Sequence, residues 1–337
     1  MFMPLPAPPA GPIDLHSHVV PGGFPARSDA PRGWPAMVPA GDAQRHVMID
    51  GRAYRTVSEH CWNVQARLSV LDEQGIAAQV VCPMPELFSY WMPSEAADDL
   101  LRFINDDIAR MVNEAKGRLV GFGALPLQHM DRALTELHRL KTAGFAGVEI
   151  GSNVNGTVVA DTIFEPFFAE AEALDMPVLV HPVRPVGMER VIGPRNLEQA
   201  LGYPSEIGLA GAAFITAGLL ARHPRLRLCL SHGGGTLATL LPRLEQAWRT
   251  FPALRESMPE SPGSMARRLY LDTLVFDEPL LRHLIEVFGT ERLMLGTDAP
   301  FAFRDDDPAG RICRIFPAGG ERDRILAGTA RHFLGMA

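Results

Sequence analysis

The sequence predicts a (β/α)8 barrel of the TIM type, one domain over residues 1–337 with a small insertion after its first strand. Three observations lead there. Short apolar, β-branched runs alternate with longer stretches of helical periodicity, and there are eight of each. Glycine stands just past the last periodic residue of the early helical stretches, where a left-handed residue ends a helix. Strict alternation demands parallel strands joined by helical crossovers, and eight such units can close on themselves. A doubly wound open sheet is the alternative reading of the same alternation.

Taken in order, the strands read Ile13–His16, Ala77–Cys82, Leu119–Leu125, Gly147–Ile150, Pro177–His181, Leu226–Ser231, Leu269–Thr273 and Leu293–Thr297. The first helix carries Val64, Leu68 and Leu71 and stops at Gly75. The second carries Ala97, Leu101, Ile104, Ile108, Met111 and Ala115 and stops at Gly117. The third carries Ala133, Leu137 and Leu140 and stops at Gly144. Later helices are expected over Glu165–Leu174, Ser205–Arg222, Thr236–Thr250, Pro279–Phe288 and Asp323–Leu334. The first unit is irregular: Val19–Cys61 is rich in Pro and Gly with little helical period, which reads as a lid or insertion at the functional mouth. Asp305-Asp306-Asp307-Pro308 reads as an acidic turn before the last helix, and Pro4–Pro12 is the one biased segment.

Composition narrows the function. With 47% hydrophobic and 21% charged residues the chain is globular, and no run of 18 apolar residues offers a membrane span. The N-terminal Met1–Pro6 stretch has neither the basic nor the apolar region of a secretory signal. Cys61, Cys82, Cys229 and Cys313 are scattered without a CxxC pair, as in a cytoplasmic protein with reduced thiols. A net charge of −7 without a Lys/Arg run argues against nucleic acid or an anionic membrane as partner. An enzyme acting on a small molecule is the class left.

Chemistry concentrates where a barrel keeps its active site, at the C-terminal ends of strands. His16 and His18 close the first strand, and side chains two apart on a strand share a face. His181 ends the fifth strand, His232 follows the sixth, and Asp298 ends the eighth. Three imidazoles and a carboxylate suit one Zn²⁺ per subunit, with Mn²⁺ or Co²⁺ as substitutes. Only four of the five groups need be ligands. His232, one residue beyond its strand and at the start of Gly233-Gly234-Gly235, is assigned as the general base that activates the metal-bound water. The three glycines read either as a close approach of backbone to substrate or as a tight strand-to-helix turn.

Taken together, Ile13-Asp14-Leu15-His16-Ser17-His18-Val19-Val20-Pro21, His60–Leu68, Leu87–Trp91, Val180-His181-Pro182, Ser231–Gly235 and Leu295–Phe301 resemble the aminocarboxymuconate-semialdehyde decarboxylase branch of the amidohydrolase superfamily, from Ile13 to about Gly335. The resemblance implies His16, His18, His181 and Asp298 as metal ligands and His232 as the residue acting on the bound water. It implies a single metal, because the fourth strand ends Val148-Glu149-Ile150-Gly151 without the lysine that bridges two. It also implies Arg55 and Arg243 as holders of the substrate carboxylate, one of them reaching in from the neighbouring subunit of a homodimer. Guanidinium is permanently charged and grips a carboxylate with two parallel hydrogen bonds. The chain departs from that family after His181-Pro182, where Asn196, a candidate substrate contact, stands in place of a tryptophan and Arg184, Arg190 and Arg195 add charge, and at Ala299, which replaces a tyrosine. The expected activity is therefore non-oxidative decarboxylation of a small unsaturated or aromatic carboxylic acid. A metal-dependent hydrolase or hydratase of a lactone, amide or unsaturated acid is the alternative, and a silent metal-binding scaffold a third reading.

Overall fold

The computed structural model describes residues 8–194 and 196–336. Its main sheet runs, in spatial order, through Ile13–Asp14, Ala78–Pro83, Leu119–Gly123, Gly147–Gly151, Val178–His181, Leu228–Leu230, Tyr270–Asp272 and Leu293–Met294, with every neighbouring pair parallel. The eighth strand returns to the first. Leu15 N–H donates to Leu295 O at 2.8 Å, Asp298 N–H donates to His16 O at 2.9 Å, and Ser17 bridges Ala299. The molecule is the expected (β/α)8 barrel.

The inside and the outside of the wall are two separate apolar layers. Within the barrel Leu15, Val80, Phe122, Leu179, Cys229, Tyr270 and Met294 pack together, and Phe333 and Leu334 of the C-terminal segment join them. Between wall and helices lies the larger core, with Val81, Val148, Ile150, Val178 and Val180 from the strands meeting Leu101, Ile104, Leu137, Phe167 and Phe214 from the helices. This division follows the two-residue period of a strand.

Besides trims of one to three residues at other strand ends and a π-helical stretch, Arg324–Gly328, within the terminal helix, the structure departs from the sequence reading in four places. The first and eighth strands are shorter: the ladder ends at Asp14 and resumes at His18–Val19 against the second strand, so His16 and His18 do not sit on one continuous strand. The helix expected over Ser205–Arg222 breaks at Gly218, whose φ of 67° is left-handed, into Tyr203–Thr216 and Leu219–Arg222. A helix, Pro308–Ile315, follows the acidic turn before the terminal helical segment, capped by the Asp307 side chain. Finally, the Val19–Cys61 insertion is ordered: Ala36–Pro39, Gln44–Ile49 and Arg52–Ser58 form a three-stranded antiparallel sheet. Its second turn is Asp50-Gly51, with both φ values positive (52° and 72°), the dipeptide that a two-residue hairpin turn requires. Arg195 lies outside the described residues.

Candidate metal centre and active site

Three histidines and a glutamate meet inside the mouth of the barrel. His16, His18, Glu149 and His181 are buried, and one ligand atom from each lies within 4.8 Å of the others. Glu149 was missed by the sequence reading. It alternates with Val148 and Ile150, both in the outer core, so its side chain faces the interior. A lone carboxylate in an apolar strand was the available signal.

The hydrogen bonds fix the tautomers. His16 Nδ1 donates to Asp272 Oδ2 at 2.7 Å, His18 Nδ1 to the Pro83 carbonyl at 3.1 Å, and His181 Nδ1 to the Pro182 carbonyl at 2.9 Å. Each neutral ring then presents a bare Nε2 lone pair. His16 Nε2 and His18 Nε2 stand 3.1 Å apart, and Asp298 Oδ1 lies 2.9 Å from His18 Nε2 and 3.7 Å from His16 Nε2. His181 Nε2 and both Glu149 oxygens have no hydrogen-bond partner. Buried acceptors facing acceptors repel, and a divalent cation among them turns the repulsion into coordination. The residues present therefore fit a metal ion of the Zn²⁺ or Mn²⁺ type.

Electrostatics favour neutral rings at His18 and His181 but not at His16, where burial opposes the charge yet the hydrogen bond to Asp272 and the nearby carboxylates raise the pKa. Burial, joined by the neighbouring histidines, holds His181 well below the usual histidine range, and burial lowers His18 as well. Glu149 is pushed well up by burial and by the carboxylates of Asp298 and Glu86. Asp272 is fully buried, which alone would raise it, yet the hydrogen bond from His16 holds it below the carboxylate norm. That aspartate is a hub: besides His16 it accepts from the backbone N–H groups of His232 (2.9 Å), Gly233 (2.7 Å) and Leu274 (3.0 Å). One carboxylate thus orients a candidate ligand and the candidate base together.

His232 stacks on His16 with ring centroids 5.5 Å apart and meets His181 edge-on at 5.0 Å. Burial lowers its pKa to about 4. Its φ is 55°, and Gly233, Gly234 and Gly235 follow at 60°, 71° and 56°. A Cβ on Gly233 would come within 2.3 Å of Val275 and one on Gly235 within 2.0 Å of the Pro204 carbonyl, so the glycines serve a tight turn. His232 and Asp298 line a cavity of about 260 Å³ with Tyr203, Pro204, Leu274 and Phe276. Asp298, like His232, holds a left-handed backbone (62°), a strain that clusters at functional positions.

The predicted substrate contacts separate into two groups. Arg55, on the third strand of the insertion, reaches the mouth: its guanidinium lies 4.2 Å from the centre of the Phe301 ring, which in turn stacks on His18 at 5.2 Å. Burial works against its charge, but Glu86, Tyr54, Tyr203 and Asp298 raise its pKa. Arg243 and Asn196 do not join the cluster within one chain. Arg243 lies exposed on the helix Leu237–Thr250, and Asn196 is exposed with a left-handed φ of 74°, preceding the helical turn Glu198–Gly202. Neither lines the cavity at His232. Of the added arginines, Arg184 stacks on Trp91 at 4.1 Å on a neighbouring cavity wall, while Arg190 is exposed.

Comparison with known proteins fits this geometry. The Amidohydrolase family model matches residues 13–336. A 2-amino-3-carboxymuconate-6-semialdehyde decarboxylase of Dictyostelium discoideum is 33% identical over 96% of this chain and 91% of its own. A gamma-resorcylate decarboxylase of Rhodococcus jostii is 29% identical over 70% and 76%. Among solved structures, the Metarhizium anisopliae IDCase in apo form superposes with a TM-score of 0.82 at 22% identity, covering 97% of each chain. No described helix is long and apolar enough to cross a membrane. With its barrel, its buried histidine cluster and a match over nearly its whole length, the chain belongs to the amidohydrolase family.

Proposed function

We propose that the protein is a metal-dependent non-oxidative decarboxylase of a small unsaturated or aromatic carboxylic acid. The observation that carries this reading is the convergence of the Nε2 atoms of His16, His18 and His181 with Glu149, where His181 Nε2 and both Glu149 oxygens lack partners, next to a half-buried arginine with no acidic partner within 4.0 Å among the described residues. His16, His18 and His181 would hold one divalent ion, with a carboxylate from Asp298, Glu149 or both completing the set. Such an ion supplies positive charge to substrate oxygens and makes a nearby water more acidic. Its identity, Zn²⁺ against Mn²⁺ or Co²⁺, is a matter for metal analysis.

This chain's own residues do the rest. Arg55 pairs with the substrate carboxylate and fixes the reacting carbon against the cluster, so that positioning supplies part of the rate. His232, neutral at pH 7 with its lowered pKa, accepts a proton from water at an imidazole nitrogen and returns one to the substrate. The carbon bearing the carboxylate gains a proton and loses conjugation, then the C–C bond breaks, CO₂ leaves and conjugation is restored; a proton from solvent returns the hydroxide left behind to water, so one proton is consumed for each CO₂ released. Apolar side chains, among them Leu274, Val275 and Phe276, line much of the His232 cavity and lower its polarity.

Arg243, exposed on its own chain, is free to serve a second copy in a homodimer, in keeping with the resemblance. Asn196 would face the substrate only if its loop rearranged on binding. The test is CO₂ release from carboxymuconate semialdehydes and dihydroxybenzoates by metal-loaded protein. Release from none of them would overturn the reading, and products that retain every carbon would favour a hydrolase or hydratase.

A further inference from the structure

We infer that Glu86 determines specificity in this site, by reading a hydrogen-bond donor (an amino or hydroxyl group) that the substrate carries in addition to its carboxylate. This inference rests on the decarboxylase site proposed above. Glu86 follows the second barrel strand, in the short helical turn Pro85–Phe88. Two other elements converge on it. Tyr54, from the insertion sheet, donates its hydroxyl to Glu86 Oε1, and the Tyr203 hydroxyl, from the start of the helix after the fifth strand, approaches the same oxygen at 3.5 Å.

The second oxygen, Oε2, is buried and has no partner. An unpaired buried acceptor is costly, and a ligand that donates to it recovers that cost. Glu86 and both tyrosines line a cavity of about 710 Å³ at the barrel mouth. The cavity belongs to the site: Tyr203 also lines the His232 cavity, and its ring lies 6.3 Å from that of His181 and 6.4 Å from that of His232. Arg55 is close enough for Glu86 to raise its pKa, yet no carboxylate of the described residues comes within 4.0 Å of its guanidinium. The mouth therefore offers a cation for a carboxylate and, beside it but unpaired with it, an acceptor for a donor. A substrate carrying both groups satisfies both; a plain acid leaves Oε2 unpaired.

The experiment measures binding of probe acids to metal-loaded protein by calorimetry: benzoate against the 2-, 3- and 4-amino and hydroxybenzoates. Wild type is expected to favour at least one donor-bearing probe over benzoate by about ten-fold or more, the scale of a hydrogen bond to a charged group. In Glu86→Leu that preference falls to near unity, whatever the change in benzoate affinity itself. Glu86→Gln, which keeps the shape and converts one oxygen to a donor, shifts the ratio in the same direction and decides the matter if the leucine variant does not fold. An equal ratio in wild type and folded variants, a wild-type ratio near one, or no binding of any probe overturns the assignment. Discrimination that persists without CO₂ release from any acid preserves the role of Glu86 and removes the decarboxylase reading instead.

Discussion

Two polar clusters lie buried within a few residues of each other, and their hydrogen-bond accounts are opposite. Under the first helix, Asp14 accepts from Gln79 Nε2 (2.7 Å), Thr297 Oγ1 (2.6 Å) and the His16 N–H (3.1 Å). Arg67, 3% exposed, donates to Gln79 Oε1 (2.7 Å), Ser17 Oγ (3.2 Å) and the carbonyls of His60 (2.8 Å) and His18. Asp14 and Gln79 are direct register partners on the first two strands, so the network is built into the sheet. Across the wall, His16, His18, His181 and Glu149 are as deeply buried but leave acceptors bare. A saturated network holds a fold together, whereas an unsaturated one of the same burial awaits a ligand.

The largest effects should separate the clusters by chemistry. His18→Ala is expected to lose bound metal and at least about 10³-fold in turnover, read by metal analysis and CO₂ release. His232→Ala should retain the metal while losing about 10²- to 10⁴-fold; loss of metal there would show His232 to be a ligand. Next comes the saturated network. Arg67→Met strands Gln79 Oε1 and two carbonyls and should lower stability by about 3–5 kcal/mol in denaturant unfolding. By contrast Glu149→Gln should leave the metal-free protein as stable or more so while weakening metal affinity. If both variants destabilise metal-free protein equally, the contrast between the clusters fails.

A smaller effect is expected at the hub that joins ligand and base. Asp272→Asn should reduce metal affinity by about 10- to 100-fold, the usual cost of losing a group that orients a ligating histidine. The smallest effect belongs to a surface control. Glu165 accepts from Arg222 at 2.8 and 2.7 Å and from His223 at 2.7 Å, and its pKa is lowered to about 2, chiefly by Arg222. Because the folded-state pKa is depressed from 4.5, this stabilisation is present above about pH 4.5 and is lost as pH falls toward 2. With Arg222 41% exposed, Glu165→Gln should cost about 1 kcal/mol or less at pH 7 and nothing near pH 2, measured as melting temperature against pH.

Much of the site was legible in the sequence because a barrel places strand ends on one rim. His16, His18, His181, His232 and Asp298 could be assembled from alternation alone. Glu149, Asp272 and Glu86 could not. Each needs to be seen facing inward with its partners present or missing, which the bare pattern of apolar residues conceals. Arg55 was implied by the family resemblance, but its seat on Phe301 depends on an insertion whose sheet the Pro/Gly content had masked. Arg243 and Asn196 stand apart because helix position and loop course, not sequence spacing, set their exposure.

Local periodicity and the order of elements determined the barrel and the rim on which its histidines sit, since strand–helix alternation leaves few ways to bury apolar faces. The tertiary structure alone decided which of those groups are saturated. Hydrogen-bond partners such as Asp272 for His16, or Gln79 for Asp14, come from distant parts of the chain or from neighbouring strands, and only their arrival distinguishes a structural polar group from one left open for chemistry.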